Sequence, residues 1–317
     1  MSGSTGIKNR LEFSAIVSFV VMIAIFLIAN PTVFLDYRIY ASVFTTLPVI
    51  MILSLAYMIV ISSGQNDLSY PSTVGLCAWM FALVTKHTGN PFLGLLVSLV
   101  TGLAVGLING GLVVKMKLSP LVTTLGMNFL IRGLIMIGTN GFGIPLVSLQ
   151  DTVFFRIFAG KLGQVPAQMI WGLIWAAMVW ILFNRHVFGT HACFVGDNAT
   201  SAREMGINVD KVRMSVYLLM GLAGGLAAIL VCMTNLTFWP TAGDGYLLII
   251  MASVFLGGTP TWGGIGTVVG TIFGALIMGF LETGIIASGL TGFYTQFFYG
   301  LILILSLVAH RKSGAKV

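Results

Sequence analysis

Apolar residues run along this chain in blocks of about 18–20, parted by short polar stretches that hold most of the charge, and that pattern predicts membrane-spanning helices. The blocks fall at 13–29, 41–61, 69–85, 91–114, 120–139, 167–183, 212–233, 246–256, 267–287 and 292–309. The expected fold class is therefore all-α: a polytopic membrane protein of about ten transmembrane helices. One block is too short. Residues 246–256 cover about 16 Å at 1.5 Å per residue, against roughly 30 Å of hydrocarbon. They run into Gly257-Gly258-Thr259-Pro260-Thr261-Trp262-Gly263-Gly264-Ile265-Gly266. A second interruption, rich in Ser, Gly and Asn, covers residues 62–71. Broken helices of this kind, near the membrane midplane, require that their irregular backbone be buried in protein or line a wet cavity.

Composition removes the soluble alternatives. Of 317 residues, 57% are hydrophobic and only 8% charged, against a usual charged share of about 25%. A net charge of +7 would suggest a polyanionic partner in a soluble protein; here the basic residues read as topology markers, and no nucleic-acid partner is expected. Lys8, Arg10, Lys115, Lys117, Arg185, Arg203, Lys211, Arg213, Arg311, Lys312 and Lys316 all fall on one side if the crossings are counted from the start. Arg38, Lys86, Arg156 and Lys161 fall on the other, and Arg132 lies within a span. The positive-inside rule then places both termini in the cytoplasm. The first block reads as an uncleaved helix, since no small-residue cleavage site follows it. Residues 140–166 are expected as an external loop and 184–211 as a cytoplasmic segment. Cys77, Cys193 and Cys232 have neither disulfide nor metal spacing.

No constellation suggests an enzyme: His87, His186, His191 and His310 are scattered, and neither a phosphate-binding loop nor a nucleophile elbow is present. No catalytic residue, metal site or cofactor bound by the chain is expected. The ionisable groups at membrane depth, Asp67, Arg132, Asp244 and Glu282, carry more information because each is costly there. For Asp67 and Asp244, capping of the following helix and contact with a transported solute are equally open. Arg132 is read as a clamp on carbonyls between two helices, and Glu282 as wet at the outer interface. Gly102/Gly106/Gly110, Gly221/Gly225 and Gly266/Gly270/Gly274 recur every fourth residue, which predicts flat packing seams. The polar run 195–208 reads as one short helix: Asp197 or Asn198 caps it, Ser201 and Glu204 have capping-box spacing, and Gly206 ends it.

That run, Gly196-Asp197-Asn198-Ala199-Thr200-Ser201-Ala202-Arg203-Glu204-Met205-Gly206-Ile207-Asn208, resembles the cytoplasmic coupling segment of ribose-type ABC sugar importer permeases, approximately G-x-N-x-x-A-A-R-x-x-G-I. Pro240-Thr241-Ala242-Gly243-Asp244-Gly245-Tyr246 is similar to that family's P-T-A-G-x-G-Y, Leu256-Gly257-Gly258-Thr259 to its L-G-G-T, and residues 263–271 to its G-G-x-G-x-V-x-G-T. The resemblance runs in order from about residue 40 to 309. Two departures stand out. Gly64-Gln65-Asn66-Asp67-Leu68-Ser69 replaces the family's G-G-I-D-L-S, and both acids of its E-L-D-A-I-A are lost after Tyr246.

The resemblance implies one transmembrane permease domain over residues 1–317, with a coupling segment at 185–211, in a bacterial inner membrane. It implies a second permease subunit, the same or different, an extracytoplasmic substrate-binding protein, and a cytosolic ATP-binding-cassette ATPase that holds ATP and magnesium. Asn198, Ser201, Ala202, Arg203, Glu204, Met205, Gly206 and Ile207 would transmit force from that ATPase. Substrate contact is expected from Gln65, Asn66, Asp67, Trp239, Asp244 and Tyr246, whose amides, carboxylates and aromatic faces suit a sugar. Trp239 equally suits the interfacial aromatic belt. Two alternatives stay open. One is a permease for nucleosides or branched-chain amino acids, with Asp67 and Arg132 holding the amino acid's charged ends. The other is an ion-coupled secondary transporter using Asp67 or Glu282.

Overall fold

The computed structural model describes residues 2–287, 289 and 291–314. Lys316 and the side chains of Lys8, Arg10, His310, Arg311 and Lys312 lie outside the described residues. The chain is helical almost throughout. Its helices are α1 (Ser2–Ala29), α2 (Pro31–Phe34), α3 (Tyr37–Ser62), α4 (Tyr70–Thr88), α5 (Pro91–Gly110, extended by a π-helical turn, Gly111–Lys115), α6 (Pro120–Thr139) and α7 (Val153–Ala159). They continue as α8 (Ala167–Asn184), α9 (Val187–Asp197), α10 (Ala199–Glu204), α11 (Val209–Asn235), α12 (Tyr246–Leu256), α13 (Val268–Ala287) and α14 (Phe293–Gly314).

Among the described residues seven helices are long and apolar enough to cross a membrane: α1 from Glu12, α3, α5 with its extension, α6, α8, α11 and α13. The other three expected spans are of a different kind. α4 has 19 residues but opens on Tyr-Pro-Ser-Thr and is buried along that first turn; α12 has 11 residues; and the apolar part of α14 is short. Helices enclosed by protein need not be greasy all round, which is why α4 reads less apolar than its neighbours.

α3 and α11 form the centre. Every residue of α3 from Leu47 to Ser62 is buried, as are most of α11 from Met220 to Met233. α4 and α5 pack on α11, α8 and α13 on α3, and α12 between α3 and α13; α1, α6 and α14 lie outside these. The glycine stripes lie where the seams were expected. Gly102 and Gly221 face each other so closely that each would direct a Cβ into the other's carbonyl, Gly106 abuts Tyr217, and Gly225 abuts Leu99. Gly270 and Gly274 bring α13 against Gly257 and Ser253 at the end of α12.

Residues 140–166, expected as a plain loop, are built. β1 (Ile144–Pro145) pairs antiparallel with β4 (Thr237–Phe238), and β2 (Lys161–Leu162) with β3 (Val165–Pro166). Thr152 caps α7 by accepting from Phe155 N–H at 3.2 Å, and Phe154 and Phe158 stack on Phe81 and Trp171. Seven residues are too few to show a period.

Candidate functional site: two broken segments joined by one helix

The first break begins where α3 runs out of apolar residues. The Ser62 and Ser63 hydroxyls turn back on the Met58 and Val60 carbonyls, and Gly64 takes φ +70°, a left-handed conformation that lets the chain reverse. Residues 65–69 then run without regular structure until Pro71 sits in the first turn of α4, where its missing N–H costs nothing. Four helices bond to the backbone and side chains of this segment. Tyr57 on α3 donates to Asn66 Oδ1 (2.8 Å), and Tyr217 on α11 donates to the Asn66 carbonyl (3.1 Å). Thr124 on α6 accepts from Leu68 N–H (2.9 Å), and Asn109 on α5 donates to Ser69 Oγ (2.7 Å). Asp67, 3% exposed, accepts from both the N–H and the hydroxyl of Ser69 at 2.8 and 2.6 Å. It therefore fixes the turn at Ser69, the residue just before α4, and bonds no N–H of the helix itself. The Oδ1 of Asn109 has no partner, and the cleft between it, Asp67, Tyr70 and Met220 has no room for a water molecule.

The second break follows α11. Leu236 adopts φ +49°, Thr237–Phe238 pair with β1, and Gly243 and Gly245, at φ +88° and +89°, turn the chain into α12. Gly243 lies on the Pro71 carbonyl, where any side chain would collide. Arg132 of α6 holds this turn: Nη1 donates to Pro240 O (2.6 Å) and Ala242 O (3.1 Å), while Nη2 donates to Ala242 O (3.1 Å) and lies 2.5 Å from Asp244 Oδ1. The carbonyl clamp read from sequence is present. The guanidinium is thus engaged by Asp244 and the carbonyls of the turn.

These contacts separate the expected substrate residues into two groups. Gln65, Asn66 and Asp67 form one polar core with Tyr57 and Tyr217. Trp239 is exposed near Gly143, and Asp244 is 56% exposed on Arg132. Tyr246 is half-buried at the start of α12. Two features bridge the groups. The Tyr70 hydroxyl donates to Leu247 O at 2.8 Å. On α6, Thr124, Asn128 and Arg132, spaced by four, serve Leu68, Ser72 and the Pro240–Asp244 turn in succession. Of these, sequence reasoning took only Arg132; the polar period in an apolar helix was the available signal. Tyr57, Tyr217 and Asn109 were also missed, and a phenol within an apolar span gives no such signal.

Replacing Arg132 with alanine is expected to destabilise the protein by about 2–4 kcal/mol, since several charge-assisted bonds to carbonyls are lost. Asp244→Asn should cost well under about 1 kcal/mol, because that carboxylate is wet. Arg132→Lys should fall between, as a single ammonium cannot serve the whole set. Thermal melts of the purified variants check this; equal losses for Arg132→Ala and Asp244→Asn would mean that the ion pair, not the carbonyl clamp, holds the turn.

Within the polar segment 185–211, the short helix expected in the run 195–208 is α10, bounded by Asn198 and Gly206 as expected, while residues 195–197 belong to the preceding helix. Val195, Gly196 and Asp197 end α9, and Asn198, extended at φ −149°, breaks the chain and caps α10 by accepting from Thr200 and Ser201 N–H, both at 3.0 Å. The Ser201–Glu204 capping box is thereby corrected: Ser201 lies inside the first turn that Asn198 caps. Gly206 (φ +83°) ends α10 as expected, with Ile207 N–H returning to Ala202 O at 3.0 Å. Asn198, Ser201, Arg203, Glu204, Met205 and Gly206 are exposed, whereas Ala202 and Ile207 are buried and anchor the turn to the bundle. Arg203 reaches Asp210 only at 3.8 Å.

One junction was not foreseen. The end of α3, the end of α9 and the Gly263–Gly264 loop meet at the Ser62 carbonyl, which accepts from Gly264 N–H at 3.0 Å. Ser62 Oγ donates to Ile265 O at 3.1 Å, and Gly64 faces the Gly196 backbone. Gly196 closes this contact and Gly264 lies on Asp197. The first break and the loop after α12 are thus both in contact with the polar segment.

The model of the branched-chain amino acid transport system / permease component family matches residues 39–307. The chain is similar to the ribose import permease protein RbsC of Escherichia coli K12, 30% identical over 95% of this chain and 94% of that protein. Its likeness to RbsC of Bacillus subtilis 168 is 30% over 81% and 79%. To the autoinducer 2 import system permease protein LsrD of Salmonella paratyphi B it is 31% over 83% and 80%. No solved structure matches.

Proposed function

The chain belongs to the family of branched-chain amino acid transport system permease components, and we propose that it is the permease subunit of an ATP-binding-cassette importer for a monosaccharide or similar small carbohydrate. The observation that carries this reading is its likeness, over most of its length, to proteins named as ribose import permeases. The buried set of amide, carboxylate and phenol groups at Gln65, Asn66, Asp67, Tyr57 and Tyr217 suits a polyhydroxylated solute better than an amino acid. The cation an amino acid's carboxylate would need, Arg132, is bound to Asp244.

In this reading residues 1–317 form one permease domain of the bacterial inner membrane with both termini in the cytoplasm, and two such subunits enclose the route. A binding protein delivers the sugar on the outer side. A cytosolic ATPase, holding ATP and magnesium, grips the exposed face of α10 through Asn198, Ser201, Arg203, Glu204, Met205 and Gly206. Ala202 and Ile207 transmit its movement inward. Gln65, Asn66 and Asp67 meet the solute when the narrow cleft beside them opens, with Trp239, Asp244 and Tyr246 on the approach from the second break.

Changing Arg203 and Met205 together to aspartate is expected to lower sugar uptake about tenfold or more, because two like charges replace a cation and an apolar knob at a docking face. Both side chains are exposed, Met205 by 58%, so the fold should survive. Uptake by cells and the ATPase recovered with the tagged protein are the measurements; undiminished uptake would sink the assignment of α10.

A further inference from the structure

Two cavities on the surface of the bundle adjoin at Phe188 and Ser215 and differ in chemistry. The first lies where α9 and α11 begin and is edged by His186, His191 and Lys211. Among the described residues no acid bridges Lys211 or His191; the neighbouring Asp210 is the one near Arg203. Phe188 N–H donates to His186 Nδ1 at 3.1 Å, which leaves Nε2 as the donor of that ring. The second cavity is a groove of Leu103, Leu182, Leu218, Leu219 and Leu222, drawn from α5, α8 and α11. At the end of α8, Arg185 lies 5.4 Å over the Trp180 ring, a pairing of amphipathic side chains suited to the headgroup level of a bilayer.

We propose that the two cavities form one site for a single anionic phospholipid. Lys211, His191 and His186 Nε2 hold the phosphate, and one acyl chain passes Phe188 into the leucine groove. Basic pockets between membrane helices suit such headgroups, and the lining changes from Lys211 and the two histidines to five leucines, in the order in which a phospholipid changes from headgroup to acyl chain. The site stands apart from the broken segments and does not depend on which solute is carried.

The test is native mass spectrometry of the full-length protein in mild detergent with dioleoylphosphatidylglycerol or dioleoylphosphatidylcholine added. One phosphatidylglycerol should be retained in preference to phosphatidylcholine, and Lys211→Gln with His191→Gln should lower its retention about fivefold or more. Leu219→Gln should weaken both lipids, whereas Lys86→Gln should change nothing. Equal retention of the two lipids, or an unchanged preference in the Lys211/His191 variant, would overturn the proposal. So would displacement of the lipid by millimolar inorganic phosphate, which would show a plain anion site. A melt of each variant separates loss of binding from loss of fold.

Discussion

Replacing Gly221 with leucine is expected to leave almost no folded protein in the membrane, and even Gly221→Ala should lower the apparent melting temperature by about 5–10 °C. A Cβ on Gly221 would enter the Gly102 carbonyl, and a Cβ on Gly102 would enter that of Gly221. The obstacle is backbone on both sides, so no rotamer change relieves it. α5 and α11 would have to separate. That movement would also pull Gly106 from Tyr217, Gly225 from Leu99, and the Ser98 hydroxyl from its 3.1 Å bond to Gly225 O. Within a bilayer, where hydrocarbon solvates leucine as well as protein does, close backbone approach supplies much of what holds two helices together. Gly126 on α6 has open space around it, and Gly126→Ala should be neutral or slightly stabilising through helix propensity. Thermal melts of Gly221→Ala and Gly126→Ala, measured side by side, decide the matter; equal behaviour would mean that the seam does not limit stability.

That seam was readable because its signal is chemical and periodic: small residues every fourth position leave a flat stripe whatever the tertiary context. The same holds for Asn198 and Gly206, whose side chain and lack of one, respectively, suit them to begin and end a helix. Other features lacked such a signal. Nothing in Val195-Gly196-Asp197 shows that these residues finish α9, so Asp197 and Asn198 were both open as the cap of α10, and the extended backbone of Asn198 decides between them. The candidate substrate residues were read from the two breaks together, and what the sequence did not show is that Arg132 holds Asp244 to the second of them. Tyr57 and Tyr217, which donate into the first break, look in sequence like any aromatic in an apolar span. The polar triplet Thr124, Asn128 and Arg132 was legible as a period, and its full meaning needed both breaks to be brought to one helix face.

Gly196→Val is expected to lower uptake by about tenfold or more while the ATPase still hydrolyses ATP. Gly196 lies in the last turn of α9, one residue before the exposed Asp197 and two before the cap of α10. A Cβ there would enter the Ser62 carbonyl, the atom to which Gly264 N–H donates at 3.0 Å. The added methyl groups must displace the end of α3 or the Gly263–Gly264 loop, and Gly263 and Gly264 already occupy left-handed conformations, at φ +89° and +79°, that leave them little freedom to adjust. If α10 receives the stroke of the ATPase, this junction passes it to Ser62 and thence to Gln65, Asn66 and Asp67, three to five residues further on. A wedge at Gly196 would break transmission without touching the docking face, which distinguishes it from the Arg203/Met205 variant: the ATPase should still co-purify. Thr190→Ala, an exposed change on the same helix, should leave uptake intact. Uptake in cells and ATP hydrolysis by the reconstituted complex are the paired readouts. Normal uptake by Gly196→Val would mean that force reaches the broken segment by another route, through the buried Ala202 and Ile207 into α11.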